Sequence, residues 1–289
     1  MAGAFATLVP AAVFSFAWKL SEDITHVDRA KSLRTSQLPP NIKQHRVEFK
    51  ASDGKKLIGL WTPAEDERGV VVLSHGRGSG KGWFMRNDEV SFLHEHGYSS
   101  FVFDYRATGE SDGKHCTLGD FEQLELKAAV GQAQKRSSGP LAVWGVSMGA
   151  TVAILVAAEI AGIDQIIAIS PYDSFIETVS HHQRLSFKLP RWPMTFLACN
   201  LTEWHTGCDV KRVDAVRAAS RLRNTRLMQV HCGKDIRAPE PVQRKNFESA
   251  SGPKEFHLVP NVKHGNAFRD GGKIFRLKIL SVLAQLKPS

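Results

Sequence analysis

The sequence predicts an α/β fold in which a mostly parallel central sheet carries helices on both faces. Three observations lead there. From Val70 onward, short apolar runs alternate with helical segments, the order of a βα-built sheet. The runs Val70–Ser74 and Leu141–Trp144 are continuously apolar instead of alternating, as expected of strands covered on both faces. Leu141–Trp144 then passes through Gly145-Val146-Ser147-Met148-Gly149 straight into an alanine-rich helix. With 289 residues, 42% of them hydrophobic, one large core is allowed.

Taken in order, Met1–Trp18 carries no charged side chain and contains Pro10. Its length is at the lower edge for crossing a bilayer. Three readings fit: a membrane anchor, a signal peptide ending at Ser15-Phe16-Ala17, or an apolar helix on the domain. We favour the anchor, with a cytoplasmic protein as the alternative location. Ser21–Pro40 is polar, ends in Pro39-Pro40, and suits a linker. Residues 1–44 are thus expected to stand apart from a catalytic domain at 45–289, so that a chain starting near Gln37 should fold and act alone.

His45–Lys50 and Lys56–Thr62 alternate around Ser52-Asp53-Gly54, a hairpin signal. Then follow the strand Val70–Ser74, a helix over Phe84–His96 stopped by Gly97, the strand Tyr98–Asp104 and a helix over Asp120–Lys135. After the strand at 141 and its helix come the strands Gln165–Ser170, Arg226–His231 and Glu255–Val259, a helix near Pro239–Ser249, and a closing amphipathic helix over Ile274–Leu286. Between Gln165–Ser170 and Arg226–His231, the stretch Tyr172–Gly207 is rich in Phe and Trp and broken by Pro190 and Pro193. It reads equally as an apolar lid (a cap over 172–210) or as one more helix and loop.

The net charge is +9, but the basic residues are scattered except across Lys211–Arg226. No aromatics interleave there and no nucleic-acid motif is present, so nucleic acid is not an expected partner. A solvated basic face accounts for that run; attraction to anionic lipid or an acidic substrate is the alternative. Cys116, Cys199, Cys208 and Cys232 form no C-x-x-C pair. They are expected as free thiols, with a Cys199–Cys208 bridge only in an exported chain.

The chemistry centres on Ser147. G-x-S-x-G between a strand and a helix puts a serine on a strained turn, its Oγ above the sheet, facing free N–H groups and the positive end of the helix dipole. A serine hydroxyl needs a base, and the base an orienting acid. Both should follow later strands. Asp235 lies in Gly233-Lys234-Asp235-Ile236-Arg237-Ala238-Pro239, after Arg226–His231, and His264 in Asn261-Val262-Lys263-His264-Gly265, after Glu255–Val259. Asp173, after Gln165–Ser170, is the reserve acid. The loop His75-Gly76-Arg77-Gly78-Ser79-Gly80-Lys81-Gly82 invites a phosphate-binding reading, but no register satisfies either glycine-rich nucleotide motif. It fits instead a turn that aims the Arg77 N–H at the serine, making an oxyanion hole with the Met148 N–H. His75 reads as structural, the Arg77 side chain as exposed, and His181-His182 as surface.

These motifs, with Asp104-Tyr105-Arg106-Ala107-Thr108-Gly109-Glu110-Ser111, resemble the α/β-hydrolase superfamily over about residues 45–287, and most of all its membrane-tethered, Bem46-type branch. The last motif departs from D-x-R-G-x-G-x-S by holding Ala107 where glycine is usual. The resemblance implies an α/β-hydrolase fold and a serine hydrolase acting on a small-molecule acyl ester or thioester. An amide-cleaving peptidase and a non-catalytic binding protein of the same fold are the alternatives. The mechanism calls for no metal or organic cofactor.

Overall fold

A computed structural model describes residues 2–286, with side chains from Ala11 onward. In chain order the elements are α1 (Ala2–Thr25), α2 (Arg29–Ser32), β1 (His45–Lys50), β2 (Lys56–Thr62), β3 (Gly69–Ser74), α3 (Gly82–Arg86), α4 (Glu89–Glu95), β4 (Tyr98–Phe103), α5 (Glu122–Gln134), β5 (Leu141–Val146) and α6 (Met148–Ala157). They continue with β6 (Gln165–Ile169), α7 (Phe175–Phe187), α8 (Met194–Thr206), α9 (Ala215–Ala219), β7 (Arg226–Cys232), α10 (Glu240–Ser249), β8 (Lys254–Val259), α11 (Ala267–Asp270) and α12 (Gly272–Leu283).

One sheet runs in the order β1-β2-β4-β3-β5-β6-β7-β8. The hairpin β1–β2 and the pair β2–β4 are antiparallel and the remaining pairs are parallel. This is the α/β-hydrolase fold. The continuous apolar runs have the expected cause. Val70 and Val72 join one core with Leu141 and Val143, while Val71 and Leu73 join the other with Ala142 and Trp144. Successive side chains alternate across the pleat, so a strand buried on both faces needs apolar residues at every position.

Two expectations change. The segment expected as one helix over Phe84–His96 is two, because Asp88 adopts φ 67° between α3 and α4. Aspartate tolerates this left-handed state better than most residues, but the helix cannot continue through it.

The larger correction is at the N-terminus. Residues 21–40 are not a free linker: α1 runs on to Thr25, and the chain beyond it folds back over the domain. Leu20, Ile24 and Val27 are buried in the first core, an i, i+4, i+7 stripe concealed among polar neighbours. Ser21 Oγ bonds Thr202 Oγ1 at 2.9 Å and His205 Nε2 at 2.8 Å on α8. Arg29 donates to the carbonyls of Gly109, Ser111 and Gly113, and Ser32 Oγ accepts from the Gly109 N–H. Of the stretch expected as an anchor, Met1 and the side chains of residues 2–10 lie outside the described part. Among the described residues no helix is long and apolar enough to cross a membrane.

Candidate active site

Ser147 sits between β5 and α6 at φ 54°, ψ −118°. Both flanking glycines are obligatory there. A Cβ on Gly145 would lie 2.4 Å from the Gly149 carbonyl oxygen, and one on Gly149 would lie 1.9 Å from that of Ser74. No neighbour can give way, because the obstacles are backbone of a buried strand and helix.

The loop after β8 brings His264 to this turn, and the loop after β7 brings Asp235 to His264. Ser147 Oγ donates to His264 Nε2 at 2.8 Å. His264 Nδ1 donates to the Asp235 carboxylate, 2.8 Å from each oxygen. Since Nδ1 carries the proton that meets the carboxylate, Nε2 is left as the acceptor that a serine proton needs. Gly265, at φ 75°, makes the turn that aims the imidazole, and its N–H donates to Ser170 Oγ at the end of β6.

The Asp235 side chain is fully buried. Burial alone would raise its pKa, but hydrogen bonds from His264 and the Ala238 N–H prevail and hold it below the ordinary carboxylate value. Oδ1 accepts the N–H groups of Arg237 at 3.0 Å and Ala238 at 2.9 Å, while Oδ2 faces Gln243 Nε2 at 3.5 Å. Asp173 is occupied elsewhere: its carboxylate bonds Lys245 Nζ and the Ser174 N–H.

Arg77 and Met148 both border the cavity into which Ser147 opens. Among the described residues neither backbone N–H donates to a backbone carbonyl outside the regular elements. The Arg77 side chain is exposed, as expected, and it also ties down α1. Its guanidinium donates to the carbonyls of Asp23, Ile24 and His26, at 2.8 Å to Ile24, and thereby caps the carboxyl end of α1.

The glycine-rich loop has a structural explanation. Lys81 Nζ pairs with buried Asp104 at 2.6 Å and with Glu110 at 2.7 Å. Cβ atoms on Gly80 and Gly82 would strike the carbonyl oxygens of Ser32 and Arg34, at 2.3 and 2.1 Å. The loop is glycine-rich so that the returning N-terminal segment can lie against it. His75 is structural as expected: Nδ1 donates to the Gly76 carbonyl, Nε2 accepts the Tyr105 N–H, and burial lowers its pKa. Ala107, at φ 60°, occupies a left-handed position that glycine adopts more readily.

The cavity measures about 370 Å³ and is lined by α1, the loop after β3, the Ser147 turn, α7 and the loops of Asp235 and His264. His182 on α7 is one of its walls, so His181-His182 is not simply surface. Burial lowers the His182 pKa to about 4, helped by the nearby charges of His181 and Arg237. Sequence reasoning missed His182, Gln243 and the α1 residues Leu20 and Ile24. None of these follows a strand end, where catalytic residues of such folds are sought.

With this geometry in view, the comparisons with known proteins are specific. A family model described as "Hydrolase_4: Serine aminopeptidase, S33" matches residues 65–207. The chain is 24% identical over 245 residues to the uncharacterized protein YqkD of Bacillus subtilis, covering 82% of this chain and 78% of that protein. It is 32% identical over 127 residues to caffeoylshikimate esterase of Arabidopsis thaliana, 42% of this chain and 37% of the other. The esterase Pf2001 of Pyrococcus furiosus superposes with a TM-score of 0.70 at 24% identity, covering 88% of this chain and 98% of that one. The chain has the α/β-hydrolase fold, and the proteins it resembles in sequence and structure include hydrolases of that class. These relatives do not single out the Bem46-type branch within it.

Proposed function

We propose that this protein is a serine hydrolase cleaving carboxylic esters or thioesters through an acyl-enzyme on Ser147. One observation carries the reading: Ser147, His264 and Asp235 form an unbroken line of 2.8 Å hydrogen bonds whose Ser147 and His264 end lines a cavity. His264 Nε2 takes the proton of Ser147 as Oγ attacks the carbonyl carbon. Asp235 keeps the imidazole in the accepting tautomer and stabilises its positive charge. The N–H groups of Arg77 and Met148 hold the oxyanion, each worth about 3 kcal/mol in the transition state. Collapse expels the alcohol or thiol, protonated by His264. Water, deprotonated by the same base, then releases the acid and restores Ser147. Ser147→Ala should abolish hydrolysis of p-nitrophenyl esters without unfolding the chain; activity near wild type would sink the proposal.

A second reading, an aminopeptidase, is favoured by the description of the matching family. Asp23 on the cavity wall would supply a carboxylate for a free amino group. Turnover of aminoacyl p-nitroanilides above that of p-nitrophenyl esters would select it.

We also propose that the protein contacts a membrane surface. Phe14, Trp192, Phe196 and Trp204 are exposed on and beside α1 and α8, and exposed Lys19, Arg184 and Lys188 lie on α1 and at the end of α7. Aromatic and basic residues together suit the boundary of an anionic bilayer. Co-sedimentation with anionic vesicles, lost in the double variant W192A/W204A, supports this; equal sedimentation of the two proteins overturns it.

A further inference from the structure

Resting on the serine hydrolase reading, we propose that α1 forms the acyl-binding wall of the active site. Leu20 and Ile24 are then its specificity-determining residues, and the preferred substrates carry short to medium unbranched apolar acyl groups. Leu20 and Ile24, one helical turn apart, line the cavity together with Leu118, Val179 and Phe187. Both are almost entirely buried. The Phe16 ring meets Phe187 edge-on at 5.0 Å, closing the wall between α1 and α7.

Apart from Asp23 on α1 and Arg77, whose side chain is bound to the end of α1, the charged and imidazole lining lies on other elements. His182, Arg237 and His264 line the cavity from α7 and the loops after β7 and β8, and a 2.8 Å hydrogen bond between His181 Nε2 and the Ile236 carbonyl joins α7 to the Asp235 loop at this end. His264 must protonate the departing alcohol, so the leaving group belongs at that end. The acyl group therefore falls on the other side, beneath Leu20 and Ile24. At about 370 Å³ the cavity sits near the lower limit of small-molecule sites, roughly 300–1,000 Å³. A short or medium acyl chain suffices to fill it.

The wall is fixed in register with the catalytic groups. Arg77, whose N–H is one oxyanion donor, holds the end of α1 through its side chain. The Thr25 carbonyl accepts the Cys116 N–H at 2.8 Å, and Cys116 Sγ lies 3.5 Å from Sδ of Met148, the residue of the other donor. A shift of α1 would thus move the acyl wall and both donors together.

The test uses the full chain and compares kcat/KM for p-nitrophenyl acetate, butyrate and octanoate. Ile24→Phe should narrow the cavity and lower the octanoate-to-acetate ratio on the order of tenfold, the discrimination that a few methylenes command in an apolar pocket. Leu20→Ala should widen it and raise the ratio. Labelling of Ser147 by a small fluorophosphonate, at whatever rate, should still occur in both and reports that the nucleophile is intact. Should Ile24→Phe fail to fold, Leu20→Ala decides alone. Ratios within about twofold of wild type, with labelling intact, overturn the wall proposal and leave the hydrolase reading standing. Absence of labelling in the wild-type protein defeats the hydrolase reading and the wall proposal with it.

Discussion

Replacing Asp235 by asparagine tests the logic of the site, because the structure dictates how the new amide must lie. Oδ1 of Asp235 receives two backbone N–H groups, from Arg237 and Ala238. Two donors cannot face an amide NH₂, so the asparagine oxygen takes this position. Its NH₂ then occupies the place of Oδ2, 2.8 Å from His264 Nδ1. The amide oxygen in the place of Oδ1 is equally near Nδ1 but already receives two N–H groups, so the NH₂ competes for Nδ1 and favours the tautomer protonated at Nε2. An imidazole protonated at Nε2 cannot accept the proton of Ser147. The shape of the site is preserved and the base is lost. The expected fall in kcat is about 10⁴-fold, or about 5 kcal/mol of barrier. The assay is p-nitrophenyl ester turnover beside a melting curve, with Asp173→Asn as the control. A loss below about tenfold for Asp235→Asn, or a larger loss for Asp173→Asn, would refute the reasoning.

Three further outcomes follow from the geometry. Gly149→Ala should destabilise by at least the upper end of the about 1–3 kcal/mol of ordinary overpacking, since its Cβ meets backbone; an unchanged Tm refutes the tight turn. A chain starting near Gln37 should be strongly destabilised, contrary to what the sequence suggests. It loses the burial of Leu20, Ile24 and Val27, about 1.5–3 kcal/mol each against a total stability of about 5–15 kcal/mol; a truncated protein with wild-type Tm and ester profile contradicts this. His182, lowered by burial from 6.5 to about 4, is neutral when folded and protonates more readily when unfolded. Its contribution to stability is therefore present above pH 6.5 and is lost as pH falls toward 4. The Tm of His182→Gln should drop less across that interval than the wild-type Tm, and parallel curves would contradict the assignment.

Much of the geometry of the candidate site was legible in the sequence because the backbone dictates it. A serine held at positive φ between a buried strand and a helix needs glycine on both sides, and that requirement is written at Gly145 and Gly149. Asp235 and His264 each follow a strand of the parallel part of the sheet, so their loops had to emerge at one edge of it. The N-terminal segment was not legible in the same way. Leu20, Ile24 and Val27 keep helical spacing, but Ser21, Glu22, Asp23, Thr25 and His26 between them conceal it, and the surfaces they meet are remote in sequence. Glycines 80 and 82 looked like phosphate-binding punctuation because the carbonyls of Ser32 and Arg34 that require them belong to that same segment. His182 and Gln243 stand inside helices, where nothing in the local pattern distinguishes a cavity wall or an acid's neighbour from an ordinary core position.

The central claim, that Ser147 is a nucleophile activated by His264, is tested most directly by fluorophosphonate labelling read by peptide mass spectrometry. The account predicts one adduct on the wild-type chain, on the peptide containing Ser147, absent from Ser147→Ala and strongly slowed in His264→Ala. An adduct that persists in Ser147→Ala, or a wild-type chain that does not label, would contradict it.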